Sequence, residues 1–239
     1  MKKSLKTAIL QLDNLTPYQK NLDKILHYLK ELNDYDLILA PEVCLSDYDY
    51  ENLESACEFG REAEEILKEA VSNQILAFTK LTKRDDGYYN EALVIHNHQI
   101  IHRQAKHKLF LLGEEDKHLK TGKEEEIKTF EINGIKFGLL ICFELRYKEL
   151  WKRLEGAEVI LVPSQWGEPR KRHLEILSSA LGVMNQCFVV VANSAKETMA
   201  KSSSINSPNG GVIREDLAEV IKAEIDLSLV KKIRRYIKM

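Results

Sequence analysis

The segment Phe137-Gly-Leu-Leu-Ile-Cys142-Phe-Glu-Leu-Arg146-Tyr-Lys-Glu-Leu-Trp151 combines two local patterns that meet at one cysteine. The residues up to Cys142 form a short apolar run, which is typical of a strand buried on both faces. After Cys142, apolar residues recur at roughly helical spacing among charged ones, and Gly156 stops the helix. The pattern therefore places Cys142 where a buried strand turns into a helix.

A cysteine at such a turn is a candidate nucleophile. The helix N-terminus and its free backbone N–H groups are expected to lower the pKa of the Cys142 thiol and favour the thiolate. The same N–H groups, that of Phe143 first, are suited to hold the oxyanion of an acyl intermediate. A lone cysteine is nevertheless more often a buried structural residue, so the choice between the two roles depends on the rest of the chain.

Length and charge restrict the class of protein. The chain has 239 residues, 44% of them hydrophobic, which suits one large domain over residues 1–239. Its formal net charge of -2 points to neither a nucleic-acid nor a membrane partner. The basic start Met1-Lys-Lys is not followed by an export-signal pattern, and no apolar run approaches the length of a membrane span. The four cysteines show no paired metal spacing, so we predict a soluble, cytoplasmic protein with reduced thiols.

Apolar strands alternate with amphipathic helices along the chain. A strand over residues 7–12, a helix starting near residue 17 and a strand over residues 37–40 suggest a βαβ crossover. Further strands are predicted at residues 74–79, 88–95, 99–102, 159–162, 187–193 and 220–225, and helices at residues 53–72 and from residue 172. The pattern indicates a mixed α/β fold.

Glu42 directly follows the second strand, where the loops of such folds often carry the chemistry. Its apolar flanks indicate partial enclosure. A partly enclosed carboxylate can have a raised pKa and accept a proton near neutral pH. A solvated glutamate at a strand end is the ordinary alternative.

The charged segment between Arg103 and Gly122 contains two candidate lysines. If residues 105–109 are extended, Lys106 and Lys108 point to one side and His107 to the other. A lysine beside a cysteine thiolate would stabilise both the nucleophile and a developing oxyanion. The alternative is a charged surface loop.

Four histidines, His96, His98, His102 and His107, lie in or near a predicted hairpin that turns at residues 97–98. A metal site would require them to converge on one face with a further ligand, and no cysteine or carboxylate has matching spacing. We therefore predict exposed histidines and no metal.

Glu42, Lys106 and Cys142, each beside a strand and in that order, resemble the catalytic set of the carbon–nitrogen hydrolase (nitrilase) superfamily, amidase type. The motifs that match are Leu39-Ala-Pro41-Glu42, Tyr89-Asn90-Glu91-Ala92, Lys106-His-Lys-Leu109-Phe110 with Glu115 and Gly122, Gly138-Leu-Leu-Ile-Cys142-Phe-Glu144-Leu-Arg146-Tyr-Lys-Glu149-Leu150, Asn185-Gln186, Val191-Ala-Asn193, Ser204 with Pro208-Asn-Gly210, and Glu224-Ile-Asp226. The resemblance runs from Thr7 to about Arg235, and so many motifs in order make it specific.

The resemblance implies a four-layer α-β-β-α sandwich that commonly forms homodimers or higher homo-oligomers. It also implies hydrolysis of a non-peptide C–N bond through a thioester, with neither cofactor nor metal. Cys142 would attack the amide carbon and Glu42 would carry the protons. Lys106 and the Phe143 N–H would hold the oxyanion, and Glu115 would orient Lys106 or assist proton transfer.

The chain departs from the family pattern at three points. The histidine usually found two residues after the lysine is Lys108, which leaves Lys108 as the alternative site lysine. The usual aspartate after the cysteine is Glu144. The helix at residues 180–186 lacks an arginine and a glutamate that usually support the pocket or the dimer interface in the family.

The spacing of Phe110, Glu115 and Gly122 is most similar to the ω-amidase-like branch, which deamidates short α-keto or dicarboxylic acid amides. The implied partner is a small-molecule amide. An N-carbamoyl amine or acid hydrolase is the alternative of the same class, and a true nitrilase fits less well.

Substrate contacts are predicted from Tyr48, Arg146, Trp166 and Arg170, with the arginines suited to a substrate carboxylate. Arg146 suits the role of a structural ion-pair partner equally well. Three other functions stay open: a catalytically silent relative that binds a small molecule or a protein, a redox-sensor thiol with a resolving cysteine, and an amide-forming acyltransferase.

Overall fold

The computed structural model describes residues 4–238, so the start Met1-Lys-Lys lies outside the described residues. The strands are β1 (Ser4–Leu10), β2 (Leu37–Leu39), β3 (Ile75–Arg84), β4 (Gly87–His96), β5 (Gln99–Ala105), β6 (Phe130–Ile132), β7 (Ile135–Leu139), β8 (Val159–Ser164), β9 (Phe188–Asn193), β10 (Ser204–Asn206), β11 (Val212–Arg214) and β12 (Val220–Asp226). The α-helices are α1 (Gln19–Glu31), α2 (Leu53–Ala70), α3 (Glu115–His118), α4 (Lys148–Arg153), α5 (Lys171–Met184) and α6 (Ser228–Tyr236).

The strands form two six-stranded sheets of matching design. The first sheet has the order β12-β1-β2-β3-β4-β5, and the second has the order β11-β10-β9-β8-β7-β6. In each sheet three neighbouring strands run parallel, β1-β2-β3 in the first and β7-β8-β9 in the second, while the outer strands pair antiparallel. The carboxyl ends of the parallel strands therefore leave each sheet on one side, which is where loops collect the chemistry of such folds.

Alternate side chains of the parallel strands point to opposite faces of the sheet, and in these strands both faces carry apolar, buried side chains. In β2, Leu37 and Leu39 join the core shared with the second sheet, whereas Ile38 joins the core beneath α1 and α2. On the second sheet, Leu154 and Leu181 bring the segments of α4 and α5 into the core. The predicted four-layer α-β-β-α sandwich is confirmed. That residues 1–239 form a single domain stays a prediction.

The end of β5 differs from the expectation at the site lysine. This strand stops at Ala105, and residues 106–109 turn away instead of continuing as an extended segment. The expectation that Lys106 and Lys108 point to the same side is therefore wrong: Lys106 is fully buried, and Lys108 is partly exposed.

The hairpin between β4 and β5 turns at Asn97 and His98, as predicted, and both residues adopt the left-handed conformation of a tight hairpin turn. The prediction of exposed histidines is wrong for His102, which is buried and stacks on Phe130 at 4.4 Å between ring centroids. Within residues 4–238, no group of three or more potential ligands is placed to hold a metal ion. In the same range no helix has the length and apolar character needed to cross a membrane.

Candidate active site

The predicted site residues converge at the carboxyl ends of strands from both sheets. Glu42 follows β2, Lys106 follows β5 and Cys142 follows β7. A backbone hydrogen bond of 3.3 Å from the Glu42 N–H to the Ser164 carbonyl joins the loop after β2 to the end of β8. The two sheets thus meet at this point, and the side chains that the sequence separates by a hundred residues become neighbours.

Glu42 is almost completely buried, at 1% exposure, and its two oxygens have different partners. Oε1 accepts hydrogen bonds from Lys106 Nζ at 2.8 Å, the Tyr48 hydroxyl at 2.6 Å and Asn90 Nδ2 at 2.8 Å. Oε2 accepts one hydrogen bond, from the backbone N–H of Gln165 at 3.0 Å. Oε1 is therefore saturated with donors, and Oε2 keeps a lone pair that can receive a proton.

Lys106 is held between two carboxylates. Its Nζ lies 2.8 Å from Glu42 Oε1 and 2.7 Å from Glu115 Oε1, and all three side chains are buried. Burial alone would lower the pKa of Lys106, but the charges of Glu42 and Glu115 outweigh it and raise that pKa. Lys106 is consequently a permanent cation, and it acts through its charge and its N–H groups rather than as a base.

The backbone around Lys106 depends on a close approach to Gly122. The Gly122 N–H donates to the Lys106 carbonyl at 2.8 Å, and a Cβ at residue 122 would lie 2.2 Å from the Ala105 carbonyl oxygen. A side chain is excluded there, which explains why a glycine follows the lysine segment.

Lys108, the alternative site lysine, lies elsewhere. Its Nζ is 3.9 Å from Glu149 and packs over the Tyr147 ring at 5.0 Å from the centroid. These are contacts of a partly exposed side chain at the protein surface. The geometry favours Lys106 over Lys108 as the lysine beside Glu42.

Cys142 occupies a strained turn between β7 and α4. It opens a short 3-10 segment, Cys142–Arg146, and its φ of 46° lies in the left-handed region that side chains other than glycine avoid. Strain of this kind costs about 1–3 kcal/mol and persists where the surrounding structure enforces it, often at functional sites. The turn leaves residue Cys142 6% exposed, at the wall of a pocket.

The expectation of a lowered thiol pKa is wrong. Burial, and then the negative charge of Glu42, raise the pKa of Cys142 well above its usual value, although Lys106 and the Gln165 N–H act in the opposite direction. The following helical turn is a five-residue 3-10 segment, too short to supply a strong dipole. The resting nucleophile is therefore a thiol, and it needs a base at the moment of attack.

The pocket beside Cys142 is lined by aromatic and cationic side chains. Its walls are Phe110, Cys142, Phe143, Arg146, Gln165, Trp166, Gly167 and Arg170. Among residues 4–238 the Phe143 N–H has no hydrogen-bond acceptor, so a donor next to the nucleophile is left available for an oxyanion.

Two guanidinium groups face this pocket without a neutralising carboxylate in the described part of the chain. Arg146 lies over the Trp166 ring at 4.8 Å and donates to His173 Nδ1 at 3.0 Å, and Arg170 lies over the Phe110 ring at 5.0 Å. Burial and the charge of Arg170 lower the pKa of Arg146. The structural ion-pair role considered for Arg146 has no support in residues 4–238, and its charge remains available to a ligand.

The other two predicted substrate contacts have different positions. Trp166 forms a pocket wall and is fixed by two hydrogen bonds. Its backbone N–H donates to Asn193 Oδ1 at 2.7 Å, and its indole N–H donates to the Arg170 carbonyl at 2.8 Å. Tyr48 instead places its hydroxyl in the buried network, within 3.0 Å of Glu115 Oε1. Burial and then the charges of Glu115 and Glu42 raise the pKa of Tyr48, so it remains a hydrogen-bond donor.

Three residues that complete the site have no role assigned from the sequence, although two of them, Asn90 and Glu144, lie in its motifs. Asn90 donates to Glu42 from β4, Gln165 donates through its backbone, and Glu144 joins two loops. Asn90 had a usable signal, because it is a polar residue in the strand motif Tyr89-Asn90-Glu91-Ala92, and a polar group inside a sheet needs a partner. The role of Gln165 has no signal in the sequence, since any residue type carries the same N–H.

Comparison with known proteins identifies the family of this chain. The family model for carbon-nitrogen hydrolases matches residues 6–235. A 2-oxoglutaramate amidase of Bacillus subtilis strain 168 is 32% identical over 233 residues, which cover 91% of this chain and 89% of that protein. A protein named hydrolase in agr operon, from Staphylococcus lugdunensis, is 28% identical over 218 residues, 85% of this chain and 93% of that protein. The solved carbon-nitrogen hydrolase from Helicobacter pylori G27 shares the fold, with a TM-score of 0.86 at 20% identity over 98% of this chain and 93% of that chain.

The fold and the relatives define an enzyme that hydrolyses C–N bonds of small amides. The chain belongs to the carbon–nitrogen hydrolase (nitrilase) family, among the amidase-type members near the ω-amidases, as its sequence motifs predict.

Proposed function

We propose that the protein deamidates a short amide that carries a carboxylate, through a thioester on Cys142, with Glu42 as the base and Lys106 as the fixed cation. The observation that carries the proposal is the buried arrangement of Glu42, Lys106 and Glu115 beside a cysteine at a pocket wall. Such an arrangement supplies a nucleophile, a proton carrier and an electrostatic stabiliser within one water-poor site.

The attack step follows from the charges of the network. Cys142 sulphur bonds to the amide carbon while its proton moves to Glu42 Oε2, the oxygen with a free lone pair. Before the transfer, the two carboxylates, the Lys106 cation and the neutral thiol have a net charge of -1. After it Glu42 is neutral and the oxyanion carries one negative charge, so the net charge is still -1. Ionising the thiol by releasing its proton to solvent would instead bury a second net negative charge, which is why the pKa of Cys142 is raised.

The oxyanion forms opposite the sulphur and is stabilised by the Phe143 N–H and by Lys106. Lys106 Nζ donates to both carboxylates and lies 3.3 Å from the Tyr48 hydroxyl, so its contribution to the oxyanion is chiefly its positive charge. The tetrahedral species collapses by breaking the C–N bond, and Glu42 returns the proton to the departing nitrogen. Ammonia leaves, and an acyl group remains on Cys142 as a thioester.

Hydrolysis of the thioester uses the same groups in reverse. Glu42 takes a proton from a water molecule whose oxygen bonds to the acyl carbon, and the oxyanion site is used a second time. The C–S bond then breaks, and the proton passes from Glu42 to the Cys142 sulphur. The products are a carboxylic acid and the resting thiol.

The two arginines support the choice of an acidic substrate. Arg146 and Arg170 bring two positive charges to the pocket wall, and aromatic rings rather than carboxylates hold them in place. A guanidinium without a protein carboxylate is a suitable partner for a ligand carboxylate. The name of the Bacillus relative, 2-oxoglutaramate amidase, also refers to a short amide with carboxylate groups.

Replacing Arg146 or Arg170 with leucine tests this substrate class. We expect kcat/KM for an amide that carries a carboxylate to fall about 10- to 100-fold, the equivalent of one lost charged hydrogen bond. For a neutral amide of the same length, kcat/KM should change by less than about threefold. Steady-state ammonia release for both substrates gives the comparison.

Arg172→Leu is the matched control, since Arg172 is exposed on α5 and pairs with Glu175 outside the pocket. Arg172→Leu should leave kcat/KM for both substrates unchanged. Equal losses for the charged and the neutral amide in the pocket variants would contradict the carboxylate assignment.

We also propose that the chain works as a cytoplasmic homodimer. The helix α5 and the edge strand β11 are joined by the Arg214–Glu175 ion pair of 3.0 Å. Together they carry five exposed apolar residues: Ile176, Val183, Met184, Val212 and Ile213. A patch of this kind and an open sheet edge favour coverage by a second copy. The cytoplasm suits a reaction that needs a reduced thiol, and all four cysteines are free.

Light scattering after size exclusion measures the assembly. We expect twice the chain mass of 27.5 kDa, and Val183→Glu with Met184→Glu should shift the protein to the single-chain mass. A native protein at the single-chain mass would contradict the dimer.

A further inference from the structure

We propose that Glu144 is a positioning residue that fixes the Lys106 segment against the Cys142 turn. The inference rests on the proposed function, because it assigns a role within the same site. Glu144 is fully buried, and its carboxylate bridges two loops that carry different parts of the chemistry. It touches no reacting atom in this arrangement, so its contribution is to geometry.

The bridge consists of two short hydrogen bonds to backbone groups. Glu144 Oε1 accepts from the His107 N–H at 2.6 Å, and Oε2 accepts from the Ile141 N–H at 2.7 Å. His107 directly follows Lys106, and Ile141 directly precedes Cys142. One carboxylate therefore joins the residue next to the cation with the residue next to the nucleophile.

The two loops come from different sheets, and this makes the bridge important. Lys106 leaves β5 in the first sheet, and Cys142 leaves β7 in the second. The side chain of Lys106 is directed to Glu42 and Glu115, and the 3-10 turn aims the thiol at the pocket. The position of the Lys106 ammonium relative to the Cys142 thiol depends on contacts between the two loops. Glu144 supplies two charge-assisted hydrogen bonds between these loops.

Burial raises the pKa of Glu144 to about 7, although the N–H groups of Ile141 and His107 act against this shift. The protein therefore retains a carboxyl group whose ionised form is costly to bury. A group retained at such a cost indicates that its two acceptor oxygens serve the site. Glutamine has one acceptor oxygen and one amide nitrogen, and that nitrogen would face an N–H group.

The test compares Glu144→Gln with Glu158→Gln. Glu158 is also buried and accepts a backbone N–H bond, from Lys136 at 3.2 Å, but it lies at the opposite end of β8 from the site. We expect Glu144→Gln to lower kcat about 10- to 100-fold, the cost of displacing a reacting group by a fraction of an ångström to an ångström. KM should change by less than about threefold, and Glu158→Gln should keep kcat within about twofold of the native value.

Hydrogen exchange of the backbone gives a second measurement that needs no activity. In Glu144→Gln the amides of His107 and Ile141 should exchange faster than in the native protein, whereas Glu158→Gln should leave both unchanged. Native-like exchange at both amides, or a kcat within twofold of the native value, would overturn the proposal. A native protein that releases no ammonia would contradict the proposed function alone, since the exchange comparison still tests the bridge.

If Glu144→Gln does not fold, Glu144→Met replaces it in both measurements. Methionine has a similar length but no carboxylate oxygen, so both N–H groups lose their acceptor, and no charge has to be buried. We expect a kcat at least about tenfold lower with KM nearly unchanged, together with faster exchange at both amides. A native kcat in this variant, with native exchange, would overturn the bridge.

Discussion

Replacing Cys142 with alanine should lower ammonia release from small amides by about 10⁴-fold or more, because the bond-forming atom is lost. The fold should survive, since alanine removes one sulphur from a side chain at a pocket wall and occupies the same strained turn. Steady-state ammonia release and thermal unfolding, measured on the same preparation, separate the two effects.

Cys57→Ala is the matched control for that variant. Cys57 has the same 6% exposure as Cys142 but belongs to a separate apolar cluster beside α2. Burial raises the pKa of its thiol to about 11, so it is a poor nucleophile near neutral pH. We expect the activity of Cys57→Ala to stay within about twofold of the native value. Full activity in Cys142→Ala, or its loss in Cys57→Ala, would contradict the assignment of the nucleophile.

Lys106→Met should have the second largest effect, on activity and on stability together. Removing the cation leaves Glu42 and Glu115 as two buried carboxylates with hydrogen-bond donors but no neutralising charge, which costs about 3–5 kcal/mol of the free energy of unfolding. Loss of the charge near the oxyanion should lower kcat by about 10²–10³-fold. Denaturant unfolding and ammonia release measure the two losses.

The control is Lys108→Met, two residues further along the chain. Its side chain is 27% exposed and its ion pair with Glu149 is long, at 3.9 Å. We expect a change in the free energy of unfolding within about 0.5 kcal/mol and nearly native activity. A reversed result, with Lys108→Met inactive and Lys106→Met active, would show that the lysine roles are exchanged.

Most of the fold could be predicted from the sequence, because its parallel strands are short apolar runs between amphipathic helices. The residues 37–40 and 159–162 are examples, and β2 and β8 lie at these places. Glu42 and Cys142 were recognisable because each directly follows such a strand. Element ends were less predictable: β3 continues to Arg84 because its backbone pairs with β4 as far as Gly87. Within that extension Lys80 is buried in an ion pair with Glu64 on α2, which depends on packing.

The electrostatics of the site could not be read from the sequence. The expected thiolate assumed a free helix N-terminus, but burial and the Glu42 charge dominate the pKa of Cys142. The choice between Lys106 and Lys108 depended on where β5 ends. The proton-accepting oxygen of Glu42 depends on which donors reach Oε1, and one of these, Asn90, comes from a strand 48 residues away.

The intact network also bears on the alternative of a catalytically silent relative. A binding protein has no need to keep Lys106 buried between two carboxylates, an arrangement that costs desolvation energy. A redox sensor requires an accessible thiol of low pKa, whereas burial and the charge of Glu42 raise the pKa of Cys142. The geometry therefore favours turnover over both alternatives.

The most direct test of the account is ammonia release by the native protein from a matched panel: short dicarboxylic and α-keto acid monoamides, neutral amides of the same length, N-carbamoyl acids and nitriles. We expect ammonia from the amides, with the highest kcat/KM for those that carry a carboxylate, and none from Cys142→Ala. Folded native protein that releases ammonia from none of these compounds, or equal release by Cys142→Ala, would contradict it.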